Sequence, residues 1–272
     1  MSNFVLRILQ GTLIGLGAVL PGISGGVLCV IFGVYTIIME FLADPFRKLK
    51  SHFPKLLPIG IGGVIGFIGI AKLLGFFLER YENPSVCLFI GLIAGMLPSL
   101  YREAGEQGRN KKSYWALGIA MVLVFALLIG LRVLQVEITP NFGWYIFCGA
   151  CLALSVIAPG MSFSTTLMPL GLYEPFVAGI GDFDFSVLIP GGIGGLATVI
   201  LFAKAVDILF KKHYSVAFHA IVGVVIAATV MIIPLQSFLA SVGSCIINLV
   251  CLAVGIVAAV LLDRFNQKYA VK

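Results

Sequence analysis

Of 272 residues, 60% are hydrophobic and only 11% charged, and the mean hydropathy is +1.10. Soluble domains carry about a quarter charged residues, so a water-wetted globule is excluded, and this length suits one compact membrane domain without a separate soluble one. The net charge of +6 is scattered in short segments between apolar runs, with no basic face of interleaved aromatics, so it reads as orientation information and not as a nucleic-acid surface.

In chain order, the first region is residues 4–43. It begins with one cation, Arg7, and a long apolar stretch that no convincing small-residue cleavage site follows, so it reads as mature chain and not as a removed signal. The region is long enough for two helices but is broken by Pro21-Gly22. Pro removes a backbone donor and Gly permits a sharp turn, which predicts a helical hairpin with a tip. Three apolar segments follow, near 56–78, 85–101 and 114–134, each close to the 20 or so residues that a crossing needs. A second broken region, 143–180, turns at Pro159-Gly160, and crossings follow near 186–207, 214–234 and 243–262. The six cysteines lie almost entirely inside these runs. Cys148-Gly-Ala-Cys151 matches C-x-x-C but lacks the βαβ context of a redox motif.

Counting Lys and Arg against Asp and Glu gives +1 for residues 1–10, +3 for 44–55, +2 for 102–113, +1 for 205–214 and +2 for 263–272. Segments 79–84, 135–142 and 180–185 are negative, and 235–242 is neutral. One arrangement puts every positive segment in the cytoplasm and the rest outside. In it each hairpin returns to the side it entered from, six helices cross, and both termini are cytoplasmic.

The chain also repeats itself. A shift of 138 superposes Gly11 on Gly149, Pro21-Gly22 on Pro159-Gly160, Ser24 on Ser162, Gly33 on Gly171 and Tyr35 on Tyr173. A shift of 132 then superposes Pro58 on Pro190, Gly60, Gly62 and Gly63 on Gly192, Gly194 and Gly195, and Ala71-Lys72 on Ala203-Lys204. Each half, 1–135 and 136–272, holds a hairpin and three crossings. Three is odd, so the second half enters from the opposite side. The expectation is an all-α integral membrane protein built as an inverted repeat, each half a re-entrant helical hairpin plus three transmembrane helices, an architecture of secondary transporters.

Candidate chemistry sits at the tips. Pro21, Gly22, Ser24, Gly25 and Gly26 form the first; Pro159, Gly160, Ser162, Ser164 and Thr165 form the second. A helix start leaves about four amides unpaired and carries roughly half a positive charge. With glycines for close approach and hydroxyls as donors, such a start suits phosphate or carboxylate. The bland alternative is a pair of kinked helices capped by Ser. Lys72 and Lys204 occupy matching positions and are candidates to neutralise an anion, or else snorkel to the interface. Glu174, His219 and Glu40 are weaker candidates for a coupling proton, against simple interhelical hydrogen bonds. Nothing resembles a catalytic set, His52, His213 and His219 have no metal-ligand spacing, and no cofactor is implied.

At the tips, Gly11-x3-Gly15-x5-Pro21-Gly22-Ile23-Ser24-Gly25-Gly26 with Gly33-x-Tyr35, and Ala158-Pro159-Gly160-Met161-Ser162 with Gly171-x-Tyr173-Glu174, the chain resembles the bacterial polyprenyl-phosphate transporter family, long catalogued as a domain of unknown function. The resemblance extends over nearly the whole chain. It implies a transporter that returns undecaprenyl phosphate, the lipid carrier of wall precursors, from the outer to the inner leaflet of the bacterial inner membrane. Two positions depart from the family pattern. Ala18 stands where many relatives have Asp, which argues against coupling through an Asp there; Ser162-Phe163-Ser164 replaces Ser-Gly-Ser. Two other readings stay open: a permease for a small soluble anion using the same tips, and a membrane enzyme of lipid-phosphate metabolism. A homo-oligomer is compatible with all three.

Overall fold

The computed structural model describes residues 3–20, 28–29, 32–43, 45–134, 138–158 and 162–269. They are all-helical, with no strand among them. In chain order the helices are α1 (Asn3–Val19), α2 (Tyr35–Ala43), α3 (Pro45–Arg80), α4 (Glu82–Ala104), α5 (Lys111–Val133), α6 (Phe142–Ile157), α7 (Phe163–Leu167), α8 (Tyr173–Gly181), α9 (Phe185–Met231), α10 (Leu235–Ala240) and α11 (Val242–Tyr269). Local chemistry sets several starts. The side chains of Asn110, Asn141 and Asp184 accept from the amides of Ser113, Trp144 and Ser186, capping α5, α6 and α9.

Six helical segments are long and apolar enough to cross a membrane: Ser51–Arg80, Glu82–Ala104, Lys111–Val133, Phe185–Val206, Ile208–Ala240 and Val242–Arg264. They match the six predicted crossings. Their outer faces are apolar and exposed, as at Val122, Leu123, Ile200 and Leu201, which suits lipid contact. α1 and α6, at 17 and 16 residues, fall short of the 20 or so that span a bilayer.

Several expected connections turn out to be helical. Residues 45–55 belong to α3, whose 36 residues run about 54 Å. The segment 205–214 continues α9, interrupted only at His213 (φ −136°, ψ 37°). The segment 79–84 shrinks to one non-helical residue, Tyr81, between α3 and α4. Most of 235–242 is α10. The reason is that Lys, Arg, Leu and Phe are adequate helix formers, and Pro45 stands at a first-turn position where proline fits. Charge marks where a helix leaves the bilayer; it does not end the helix.

Glycines set the packing. A Cβ on Gly11 would overlap the Ile59 carbonyl, and one on Gly62 the Ile8 carbonyl, so α1 and α3 pack backbone to backbone. In the second half, a Cβ on Gly149 would overlap the Gly191 carbonyl, and one on Gly194 the Ile146 carbonyl. These are the same contacts displaced by 138 residues on one helix and 132 on the other. The third crossings exchange partners. α11 packs on α4 through Gly91 and Gly255, while α5 packs on the second part of α9 through Gly223 and the Leu117 carbonyl. Polar clasps reinforce both pairings. Ser99 Oγ and Arg102 Nη2 donate to Asp263 at 2.6 and 2.9 Å, and the hydroxyls of Ser113 and Ser215 meet at 2.9 Å. The main buried cluster gathers Val19, Ala71, Leu74, Phe89, Phe163 and Tyr173, drawn from both halves.

Candidate functional site

The second tip is partly visible. α6 ends at Ile157, Ala158 leaves the helix (φ −107°, ψ 106°), and Ser162 is extended immediately before α7. Ser162 does not cap that helix with its side chain; its hydroxyl lies 2.7 Å from that of Ser164. Thr165 Oγ1 donates to the Ser162 carbonyl at 2.7 Å. Ser164 and Thr165 are buried. Thr166 Oγ1 is buried with no hydrogen-bond partner among the described residues. Pro21, Gly22, Ser24, Gly25, Gly26, Pro159 and Gly160 lie outside the described residues.

The returning limb departs from the single half-helix that was expected. α7 lasts five residues, a 3₁₀ turn covers Met168–Leu170, and Gly171 adopts left-handed φ (69°). The Leu172 amide then bonds the Leu167 carbonyl and the Gly171 amide the Met168 carbonyl, a Schellman closure. The first half does the same at Gly33 (φ 65°), where the Val34 amide bonds the Cys29 carbonyl. The repeated Gly-x-Tyr is therefore a helix stop followed by a helix start. Only glycine takes that φ without strain.

Phe163, the residue that departs from Ser-Gly-Ser, anchors the tip. Its ring is fully buried among Phe67, Tyr173 and Phe176, with centroids 6.4, 5.7 and 6.3 Å away. Since Phe67 belongs to α3, the second tip is wedged against the first half.

The two lysines come level with the helix ends that precede the tips. The Ile8–Gly62 and Gly11–Ile59 contacts recur one turn later as Thr12–Gly66 and Gly15–Gly63, so α1 and α3 run in the same direction with offsets of 48 to 54 residues. Carried to the last described residues of α1, those offsets put Lys72 level with Ala18 to Leu20, where the chain enters the first tip. Offsets of 42 to 48 between α6 and α9 put Lys204 level with Val156 to Ala158, the end of α6. Both side chains are exposed, and neither has an ion pair among the described residues. Lys72 also lies against Gly181 at the end of α8.

The weaker candidates are elsewhere. Glu40 faces His52 on α3 at 3.1 Å. His219 is fully buried; its Nδ1–H donates to the Ser215 carbonyl at 2.6 Å, and its ring lies between Tyr101 and Tyr114. Glu174, outside the six crossings, opens α8. Partial desolvation pushes its carboxyl above the ordinary range, with Glu82 and then Glu79 adding to the effect. Among the described residues, none of the three meets the hydroxyls of the second tip. Thr166 was missed in the sequence because it lies one residue past the tip as read there, which ended at Thr165. The run Ser162-Phe163-Ser164-Thr165-Thr166 inside an apolar region was the available signal.

The family model described as undecaprenyl phosphate translocase-like matches residues 2–114 and 55–246. A polyprenyl-phosphate transporter of Vibrio cholerae is 25% identical over 250 residues, covering 85% of this chain and 78% of the relative. A polyprenyl-phosphate transporter of Staphylococcus aureus is 24% identical over 277 residues, covering 97% of each chain. No solved structure matches.

Proposed function

The chain belongs to the undecaprenyl phosphate translocase-like family, and we propose that it carries a polyprenyl phosphate across the bacterial inner membrane, from outer to inner leaflet, recycling the carrier lipid of wall synthesis. The two halves act as inverted repeats, 1–135 and 136–272, each contributing a re-entrant hairpin whose tip meets the lipid phosphate. The glycine contacts that recur at 138 and 132 residues and the exchanged third crossings support this reading. So do α1 and α6, whose 17 and 16 residues stand at the short end of what crosses a bilayer.

The observation that carries the proposal is the level of the lysines: each half sets one cation level with the end of the helix that leads into its tip. A phosphate buried without a partner costs several kcal/mol even after relaxation, on the order of a disrupted buried ion pair. A helix start offers only about 0.3–1 kcal/mol, and the five residues of α7 make a weak dipole. The charge therefore comes from Lys72 and Lys204, while the Ser162–Ser164 hydroxyl pair, with one hydrogen to spare, and the Thr166 hydroxyl, without a partner among the described residues, supply donors, and Thr165 braces the turn through the Ser162 carbonyl. Exposed lysines can be reached from the bilayer, which favours a lipid over a soluble anion in a closed vestibule.

Leaflet exchange of a labelled polyprenyl phosphate in liposomes containing the purified protein tests this. Accelerated exchange supports the reading. No acceleration, with folded protein and uptake of a soluble anion instead, would favour the permease. Release of inorganic phosphate from the lipid would favour an enzyme.

A further inference from the structure

A cavity of about 370 Å³ lies between α6, α8 and the first part of α9. No polar side chain lines it. Leu152 and Val156 form one wall, Phe176 another, and Gly192, Leu196 and Val199 the third. Its lining runs along α6 from Gly149 to Val156 and along α9 from Val187 to Val199. Val156 is three residues short of Pro159, which opens the tip, and Val199 is five residues short of Lys204, about 7.5 Å along the helix. The cavity is thus apolar along its length and polar beyond one end, the pattern of a site for an amphiphile with a phosphate head and a single apolar tail.

We propose that this groove holds the head-proximal isoprene units of the lipid, a deepening that rests on the transport reading above. A cavity of roughly 150 Å³ accommodates benzene, so this one takes on the order of two to three isoprene units, with the rest of the chain in the bilayer. Three glycines, Gly191, Gly192 and Gly195, make one wall thin, which leaves room for the methyl branches of an isoprenoid. At Gly192 an added Cβ would meet nothing within 4 Å, so this wall is open where Gly149 and Gly191 are locked together. The equivalent positions in the first half, Ile14, Ile38 and Ile59, instead pack around Cys29 and Val34.

The test measures binding to the full chain in phosphatidylcholine nanodiscs. The probes are undecaprenyl phosphate, isopentenyl phosphate and the straight-chain hexadecyl phosphate. Gly192→Leu fills the groove without a backbone clash, and Ile193→Trp, on the neighbouring exposed face, is the control. One isoprene unit cannot reach Gly192, about 18 Å along α9 from Lys204. Gly192→Leu is expected to weaken undecaprenyl phosphate at least tenfold more than isopentenyl phosphate and more than hexadecyl phosphate, with Ile193→Trp like wild type. Equal losses for the one-unit and long-chain probes, or for the straight and branched chains, would overturn the groove assignment. So would unchanged undecaprenyl phosphate binding by Gly192→Leu, while leaving the transport reading intact. A wild type that binds none of the three overturns both.

Discussion

Tyr173, at the start of α8, donates its phenolic hydrogen to the carbonyl of Val19, the last residue of α1, at 2.7 Å. Both residues are buried, and they belong to opposite halves of the chain. A carbonyl at a helix end has lost its intrahelical donor, and here the other half supplies one. The contact ties the base of the first tip to the ring cluster that holds the second.

Tyr173→Phe keeps the packing against Phe89 and Phe163 but leaves the Val19 carbonyl unpaired. A loss of about 1–3 kcal/mol is expected, read as a lower midpoint of thermal unfolding in detergent. A midpoint equal to wild type would mean that another group satisfies Val19 and that the tyrosine bond does not join the halves.

The glycine contacts make a graded prediction. Gly149→Ala and Gly194→Ala force a methyl into a facing carbonyl, and overpacking of this kind costs about 1–3 kcal/mol, more where backbone cannot move. Gly192→Ala meets open space and should be close to neutral. Yield and thermal midpoint of the three variants check the order. If Gly149→Ala behaves like Gly192→Ala, α6 and α9 are not in backbone contact.

Those contacts also show how far the sequence could be read. The six crossings are legible because a bilayer demands long uninterrupted apolar runs, and the paired Gly and Lys positions because the shifts of 138 and 132 expose them. The helical state of 45–55 and 205–214 is not legible, since the same Lys and Arg residues that mark a segment as leaving the bilayer also favour helix. Nor is the break of the returning limb at Gly171: the sequence shows Gly-x-Tyr twice, but the Schellman closure depends on Leu167 and Leu172 meeting after the turn. Thr166 is legible as the end of a hydroxyl run, but its burial without a partner among the described residues is a property of the packed tip.

Glu174 provides a pH test. Its carboxyl is raised in the fold by desolvation and by Glu82 and Glu79, so the folded chain holds that proton more tightly than the unfolded one. The stabilising contribution of the protonated form is present below the ordinary Glu range, about pH 4, and is lost as pH rises through the raised value. Glu174→Gln should therefore match wild type near about pH 4 and gain in relative thermal midpoint toward about pH 8. A difference that shrinks as pH rises would show that the carboxylate is stabilised in the fold instead.

The proposed orientation places both termini and the segments holding Arg47 and Lys111 in the cytoplasm, and Asp182 and Asp184 outside, from the distribution of Lys and Arg. Single cysteines at positions 111 and 184 in a cysteine-free chain should label from opposite sides of intact cells with a membrane-impermeant thiol reagent. Labelling from the same side would sink the inverted topology, because the helices between them would then make an even number of crossings.

The lysine pair separates a binding site from two snorkelling anchors. If Lys72 and Lys204 neutralise one phosphate from the two halves, each single alanine variant should slow leaflet exchange of a labelled polyprenyl phosphate several-fold. The double variant should slow it at least tenfold, because one remaining cation can offset part of the burial cost and none cannot. Snorkelling predicts something else: removing an interfacial lysine from a helix that still spans changes anchoring, not exchange. The decisive comparison is therefore the double variant against wild type, with thermal midpoint as the check on folding. Arginine at both positions should restore exchange, since it keeps the charge and adds bidentate donors for phosphate. A folded double alanine variant that exchanges lipid at the wild-type rate would move the phosphate charge balance onto other residues and leave the hydroxyls of Ser162, Ser164 and Thr166 without their proposed cationic partners.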